Sequence, residues 1–175
     1  MRADAWCIRF LLVAILSGSF STMGQESSRV PLTPEYQNWL NEDVGWIIKP
    51  LEQRQFLALA TDKERDQFIA DFWKRRNPKP ETTENSFKEE HYRRLSFANQ
   101  HFTENRPGWK TDRGRVYIVY GPPDVVTKHA GTAIAAPEEI WSYMHMKVGD
   151  TVFVRLVDEC RCGKFSLKTD LPRGE

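Results

Sequence analysis

Residues 105–124 run Asn105-Arg106-Pro107-Gly108-Trp109-Lys110-Thr111-Asp112-Arg113-Gly114-Arg115-Val116-Tyr117-Ile118-Val119-Tyr120-Gly121-Pro122-Pro123-Asp124. Apolar residues recur at helical spacing before this stretch and at extended spacing after it. Arg115 to Tyr120 is a β-branched and aromatic run closed by Gly121-Pro122-Pro123-Asp124, which predicts a strand. The run is apolar on both faces, which predicts a central one. The residues ahead of it have local reasons. Pro107-Gly108 suits a turn, and Thr111 and Asp112 accept backbone N–H groups and shape another. Trp109 buries a large area while its N–H seeks a partner, and Gly114 frees the backbone.

Upstream, Thr33-Pro34-Glu35 is a helix start: Thr as N-cap, Pro at the first helical position, an acid in the first turn. Tyr36, Trp39 and Leu40 share one face, and Trp46-Ile47-Ile48 reads as a buried connector or short strand. Pro50 opens a second helix with Phe56, Leu57 and Leu59 on its apolar side. Thr61 and Glu64 form a capping box for a helix carrying Phe68, Ile69, Phe72 and Trp73. That helix ends in Lys74-Arg75-Arg76, cations that favour its dipole, before Asn77-Pro78. Asn77 to Thr83 is expected to be extended. Another helix starts near Asn85, with Phe87, His91, Leu95, Ala98 and Phe102 in one stripe. Glu84/Lys88, Glu89/Arg93 and Glu90/Arg94 pair along it.

Downstream, Thr127 to Pro137 is small and Gly-containing and is expected to be a mobile loop. Glu139 to Met144 and Thr151 to Val157 read as strands joined by a turn at Gly149-Asp150, and Lys164 to Lys168 as a last strand. The sum is an α+β fold, N-terminal helices packed on a small, mostly antiparallel β-sheet.

The N-terminus has a different character. Arg2 and Arg9 precede the apolar run Phe10 to Leu16, and small and polar residues follow to Gly24. That order is a secretory signal peptide over residues 1–24. The apolar run falls far short of the roughly 20 residues a spanning helix needs. Nothing later is long enough either, so no transmembrane segment is expected after the signal. Residues 25–32 read as a linker and residues 33–170 as one domain. The 175-residue chain holds 25 basic and 24 acidic residues. Cleavage near Gly24 removes Arg2, Arg9 and Asp4 and leaves the two signs equal in number. So balanced a chain carries no broad electrostatic footprint for nucleic acid. An exported chain without an anchor is expected in the periplasm or the extracellular medium.

Cys160 and Cys162 remain after cleavage, one residue apart. Three readings of the pair stand side by side: a redox-labile disulfide, half of a metal site that needs two more ligands, and a structural bridge or plain thiols on a hairpin turn. An exported compartment keeps disulfides.

The series Gly108-Trp109-Lys110-Thr111-Asp112 and its continuation through Asp124 resembles the GWxTD domain proteins. Tyr36 to Trp46, Arg65 to Pro78 and His91-Tyr92-Arg93-Arg94 are similar as well, so the resemblance spans about Pro34 to Leu167. It implies an exported bacterial protein and supplies no activity, cofactor or catalytic residue.

Function is expected to be binding or assembly in the cell envelope, non-catalytic, with an unknown envelope protein or complex as partner. Gly108, Trp109, Thr111, Asp112, Arg113 and Arg115 are the recognition surface or structural junction. In the junction reading, Trp109 is core and Asp112 pairs with an arginine. The alternative is a periplasmic, hydrolase-like enzyme built on His91, Glu90, Asp112 and Asp124. There is no nucleophile elbow, His-Glu-x-x-His or Gly-rich phosphate loop to carry it, and His91 and His101 sit on different faces of one helix. No cofactor or metal is expected. A third reading is anion or glycan binding by Lys74, Arg75, Arg76 and the tryptophans.

Overall fold

The computed structural model describes residues 30–144 and 151–170. The signal segment and the Gly149-Asp150 turn lie outside the described residues. The fold is α+β: five helices and a four-stranded sheet, antiparallel at each of its three pairings.

Helix α1 (Pro34–Asn38) continues into a π-helical turn (Trp39–Asp43). Helix α2 (Pro50–Ala58) follows, and Trp46 to Ile48 between them is a half-buried turn rather than a strand. Helix α3 (Asp62–Arg76) starts at the expected box: Thr61 Oγ1 accepts the Glu64 N–H, and Glu64 accepts the Thr61 N–H at 2.9 Å. Rings from these elements make the first core. Trp39 packs on Phe56 at 4.8 Å and edge-on to Phe72 at 5.3 Å, with Tyr36, Leu40, Val44 and Trp73 around them. Val30 already belongs to this fold, because its N–H bonds the Ala60 carbonyl and its carbonyl accepts Arg65.

The segment expected to be extended after Asn77 instead folds through a turn, with the Thr82 N–H on the Lys79 carbonyl. The Asn77 side chain holds it by accepting the Lys79 N–H and donating to the Glu84 carbonyl. Helix α4 (Ser86–His101) is capped by Asn85 and carries Leu95 and Ala98 into a second, smaller core with Ile118. Of its expected pairs Glu90–Arg94 forms, while Arg93 goes to Glu90 rather than to Glu89. Glu90 takes both Arg93 and Arg94, each at 2.7 Å.

The largest correction falls on Arg115 to Tyr120. It is not a strand but helix α5 (Asp112–Tyr120), entered from a 3₁₀ turn (Gly108–Lys110). Thr111 caps it, its Oγ1 accepting the Gly114 N–H at 3.0 Å, and Gly121 ends it at φ 85°. The run is apolar on both sides because the helix lies between two cores. Ile118 faces Leu95 and Ala98, while Val116 and Tyr117 pack with Trp141, Tyr143, Val154 and Leu156 of the sheet. Two-sided burial erases the period that separates helix from strand.

Strand β1 (Val125–His129) occupies the start of the stretch expected to be a loop; the loop proper follows it. Strands β2 (Glu138–Tyr143), β3 (Val152–Val157) and β4 (Ser166–Leu167) complete the order β1-β2-β3-β4. Register places Val126, Trp141 and Val154 on the face that meets α5, and Val125, Ser142 and Phe153 on the other. Among the described residues, no helix is long and apolar enough to cross a membrane.

Candidate functional site

The 108–115 motif folds as a knot of close approaches. A Cβ at Gly108 would overlap the Ala98 carbonyl of α4, and one at Gly114 would overlap the Gly108 carbonyl. Thr111 is fully buried between them: its hydroxyl donates to the Gly108 carbonyl at 2.7 Å while accepting from the Gly114 N–H. Gly108 and Gly114 are thus fixed by contact distance, and Thr111 by its two hydrogen bonds.

Trp109 is half-buried, packed against Leu95, Ala98 and Ile118, with Lys110 Nζ 4.8 Å from its ring centroid. Its backbone is also engaged. The N–H donates to Asn99 at 3.0 Å, and the carbonyl accepts Trp46 Nε1 at 2.8 Å. Arg115 lies over the Trp46 ring at 4.9 Å. Trp46 is therefore a partner of the motif 63 residues away in sequence, which no local pattern indicates.

Asp112 and Arg113 reach furthest. Among the described residues Asp112 pairs with no arginine; its carboxylate accepts the Leu167 N–H of β4 at 2.9 Å. Arg113 points between the helices and the sheet. One Nη donates to Glu104 and to the Gly163 carbonyl, each at 3.3 Å, and the other lies 3.9 Å from Glu139. Its guanidinium also covers Phe165 at 4.4 Å. Glu104 in turn accepts the Phe165 N–H, and Glu139 accepts Trp141 Nε1 at 3.0 Å and lies 3.4 Å from Lys128 Nζ. Three side chains from the 104–113 stretch thus hold three backbone groups of residues 163–167. Glu104 and Glu139 were not singled out in the sequence. Their signal was only that each is an acid two residues from an aromatic, Phe102 and Trp141, which is common on a surface.

The residues of the hydrolase-like alternative each have a different partner. His91 is buried, its Nε2 at 2.5 Å from the Asp43 carbonyl, and burial pushes its pKa down despite that bond and the nearby Asp43 charge. Glu90 is tied to Arg93 and Arg94, which hold its carboxyl down at about 2. Asp112 holds β4, and Asp124 accepts the Met144 N–H at 2.6 Å.

Two of the three cations at the end of α3 are also occupied. Arg76 makes a two-pronged pair with Glu52 of α2, at 3.0 and 2.6 Å, and stacks on Phe72 at 3.6 Å; Arg75 reaches the same carboxylate at 3.1 Å. Partial burial opposes ionisation of Glu52, but Arg76, the Lys49 N–H and Arg75 outweigh it and bring its pKa to about 2.

A cavity of about 650 Å³ beside α1 and α3 was not foreseen. Glu35, Asp43 and Asp66 line it with Tyr36, Trp39 and Tyr92. Its hydroxyls are committed: Tyr36 donates to Asp66 at 2.7 Å and Tyr92 to Asp43 at 3.0 Å. The bond to Asp66 pushes Tyr36 up to about 12, a poor general acid at neutral pH. Among the described residues, the ligand-type atoms grouped closely enough for a metal are those of Asp158, Cys160 and Cys162, and the two sulfurs are joined as a disulfide.

No curated protein and no solved structure matches the chain. The sequence pattern of the GWxTD domain matches it over residues 20–168. That span includes the knot at 108–115, the helices it braces and the strand it holds, and the chain therefore belongs to the GWxTD domain family.

Proposed function

We propose that this chain is an exported cell-envelope module that acts by binding or assembly rather than by catalysis. The supporting observation is the open side of the sheet. β1 is an edge strand with all five residues exposed, and among the described residues nothing pairs with its outer side. Val125 of this strand and Phe153 of β3 are exposed apolar residues that share the outer face across Ser142, and the exposed Met144 follows β2. An unpaired edge next to apolar side chains is the surface to which a partner adds an extended strand. The motif itself spends its polar groups inward, so it braces the module, while the sheet edge meets the partner. Export rests on the charge and apolar order of residues 1–24.

The test is a crosslinking pull-down from the native envelope with the tagged full chain as bait. Val125→Lys and Phe153→Lys change exposed positions and are expected to melt like wild type. Loss of the captured partner in these two supports the reading. A partner retained in both, or lost only in Trp109→Ala at an unchanged melting temperature, moves recognition to the motif. No specific partner with any bait overturns the binding reading. Export is checked separately, by N-terminal sequencing of the chain from the periplasmic fraction. An uncleaved cytosolic chain overturns it.

A further inference from the structure

The turn after β3 carries two exposed cysteines on a buried acid. Cys160 and Cys162 are bonded across a Cα separation of 5.2 Å, so the disulfide closes a ring over one residue, Arg161. Arg161 has φ 56°, and among the described residues no other non-glycine residue has a positive φ. A side chain with a Cβ resists that conformation. Beneath the ring, Asp158 is buried. Its carboxylate accepts the Cys162 N–H at 3.1 Å and the Gly163 N–H at 2.8 Å, and one of its oxygens lies 3.2 Å from Cys160 Sγ.

The same ring is tied to a second loop. Arg161 Nη2 donates to the carbonyls of Thr132 at 2.6 Å and Ala135 at 3.2 Å, in the connection between β1 and β2. Among the described residues, and apart from a turn of its own at Thr132 and Ala135, this clamp is the polar hold on the tip of that connection, where Ile134 is 99% exposed.

We propose that Cys160–Cys162 is a reversible disulfide that exchanges with a dithiol, and that its state sets the order of residues 130–137 through Arg161. A thiolate of the dithiol attacks one of the exposed sulfurs. The Cys160–Cys162 bond breaks, a mixed disulfide forms, and the departing sulfur leaves as a thiolate and takes a proton. The second thiol of the dithiol then displaces the mixed disulfide. The dithiol ends as its own disulfide, and Cys160 and Cys162 end as thiols, two electrons and two protons richer. Three features favour this exchange. The sulfurs are open to attack, opening the ring frees Arg161 from its left-handed backbone, and the new Cys160 S–H meets a ready acceptor in Asp158. With Arg161 released, its guanidinium no longer has a fixed position from which to hold the Thr132 and Ala135 carbonyls.

The test uses the whole chain equilibrated against graded dithiothreitol. The reduced fraction is read by alkylation and mass spectrometry, and loop order by hydrogen exchange. Reduction is expected to speed exchange across residues 131–136 by roughly tenfold, with β2 and β3 unchanged. Arg161→Ala in the oxidised chain is expected to speed the same amides with the disulfide intact. Arg161→Gly, which accepts a positive φ freely, is expected to need several times more dithiothreitol for half-reduction. Cys160→Ser/Cys162→Ser is expected to match the reduced wild type. A disulfide that resists dithiothreitol until the chain unfolds, or a half-reduction point unmoved by Arg161→Gly, overturns the exchange site. Loop exchange that ignores both reduction and Arg161→Ala overturns the coupling.

Discussion

The helical N-terminal half and the junction that joins it to the sheet are held by different forces. In the first, the interior is a cluster of rings around Trp39, Phe56 and Phe72. Several of its polar contacts are short in sequence, such as the Thr61 cap of α3 and Glu90 on Arg93 and Arg94. In the second, polar side chains work inside the structure and over long separations: Asp112 to Leu167, Arg113 to Gly163, Glu104 to Phe165. The rings are held by area and shape, so a substitution there costs in proportion to the hole it leaves. The junction is held by a few directional bonds, so losing one partner strands another that is partly shielded from water.

Phe56→Ala is the sharpest blow to the ring cluster. Phe56 is wholly buried, and the cost is expected to be about 3–5 kcal/mol, read as a fall in thermal and denaturant midpoints. A loss under about 1 kcal/mol would mean that the cluster collapses around the hole and that the contrast is overstated. The matching blow to the junction is Arg113→Met, which keeps the apolar stem but leaves Glu104 without its cation. Lys128 remains near Glu139, so the expected cost is about 3 kcal/mol, the low end for a broken buried pair. It is also expected to speed hydrogen exchange at Phe165 and Leu167, whereas Phe56→Ala spares them until global unfolding.

Gly114→Ala separates the two forces by sign. Position 114 lies in the first turn of α5, where helix propensity alone favours Ala over Gly by up to about 1 kcal/mol. The overlap with the Gly108 carbonyl predicts instead a loss of about 2 kcal/mol. A raised melting temperature would show that the 3₁₀ turn moves aside cheaply and that the glycine is not there for contact.

The same division explains what the sequence discloses. The capping box at Thr61 and Glu64, the Thr33-Pro34 start and the ring spacing are local signals, and the helices sit where those signals put them. The junction fails the local test at Arg115 to Tyr120. A helix wedged between α4 and the sheet is apolar toward both, and its β-branched residues then mimic a central strand. The deciding marks lay at its ends, a Thr-Asp cap at 111–112 and a Gly-Pro stop at 121–122. The polar latch was half legible. Asp112 and Arg113 stood out by motif, but beside the Glu104 and Glu139 carboxylates their partners are a backbone N–H and a backbone carbonyl at least 50 residues away, which have no side-chain signature. Glu52 was missed for a related reason. Its role comes from α2 and α3 packing side by side, which turns a dipole-favouring basic run into a salt-bridged clamp.

The smallest expected effect is a pH dependence that belongs to the helical half. Burial holds the His91 pKa below its ordinary 6.5, with Asp43 opposing and Arg94 and Arg76 assisting. A histidine depressed in the folded state gives stability that is present above 6.5 and is lost as pH falls, because the unfolded chain takes the proton first. Glu52, held at about 2 against an ordinary 4.5, gives stability present above 4.5 and lost as pH falls toward 2. Asp43 acts with the opposite sign. Burial raises its pKa above 3.8, outweighing the bond from Tyr92 and the charge of His91, so protonating it on acidification relieves a cost. The melting temperature is therefore expected to fall in two stages, beginning below pH 6.5 and again below pH 4.5. His91→Gln is expected to flatten the first stage and leave the second. Glu52→Gln is expected to shrink the second and leave the part that Glu90, also held at about 2, contributes, at the expense of lower stability at pH 7, because Arg76 loses its carboxylate partner. A second stage unchanged by Glu52→Gln would place that acid sensitivity in Glu90 instead, whose carboxyl Arg93 and Arg94 hold at about 2.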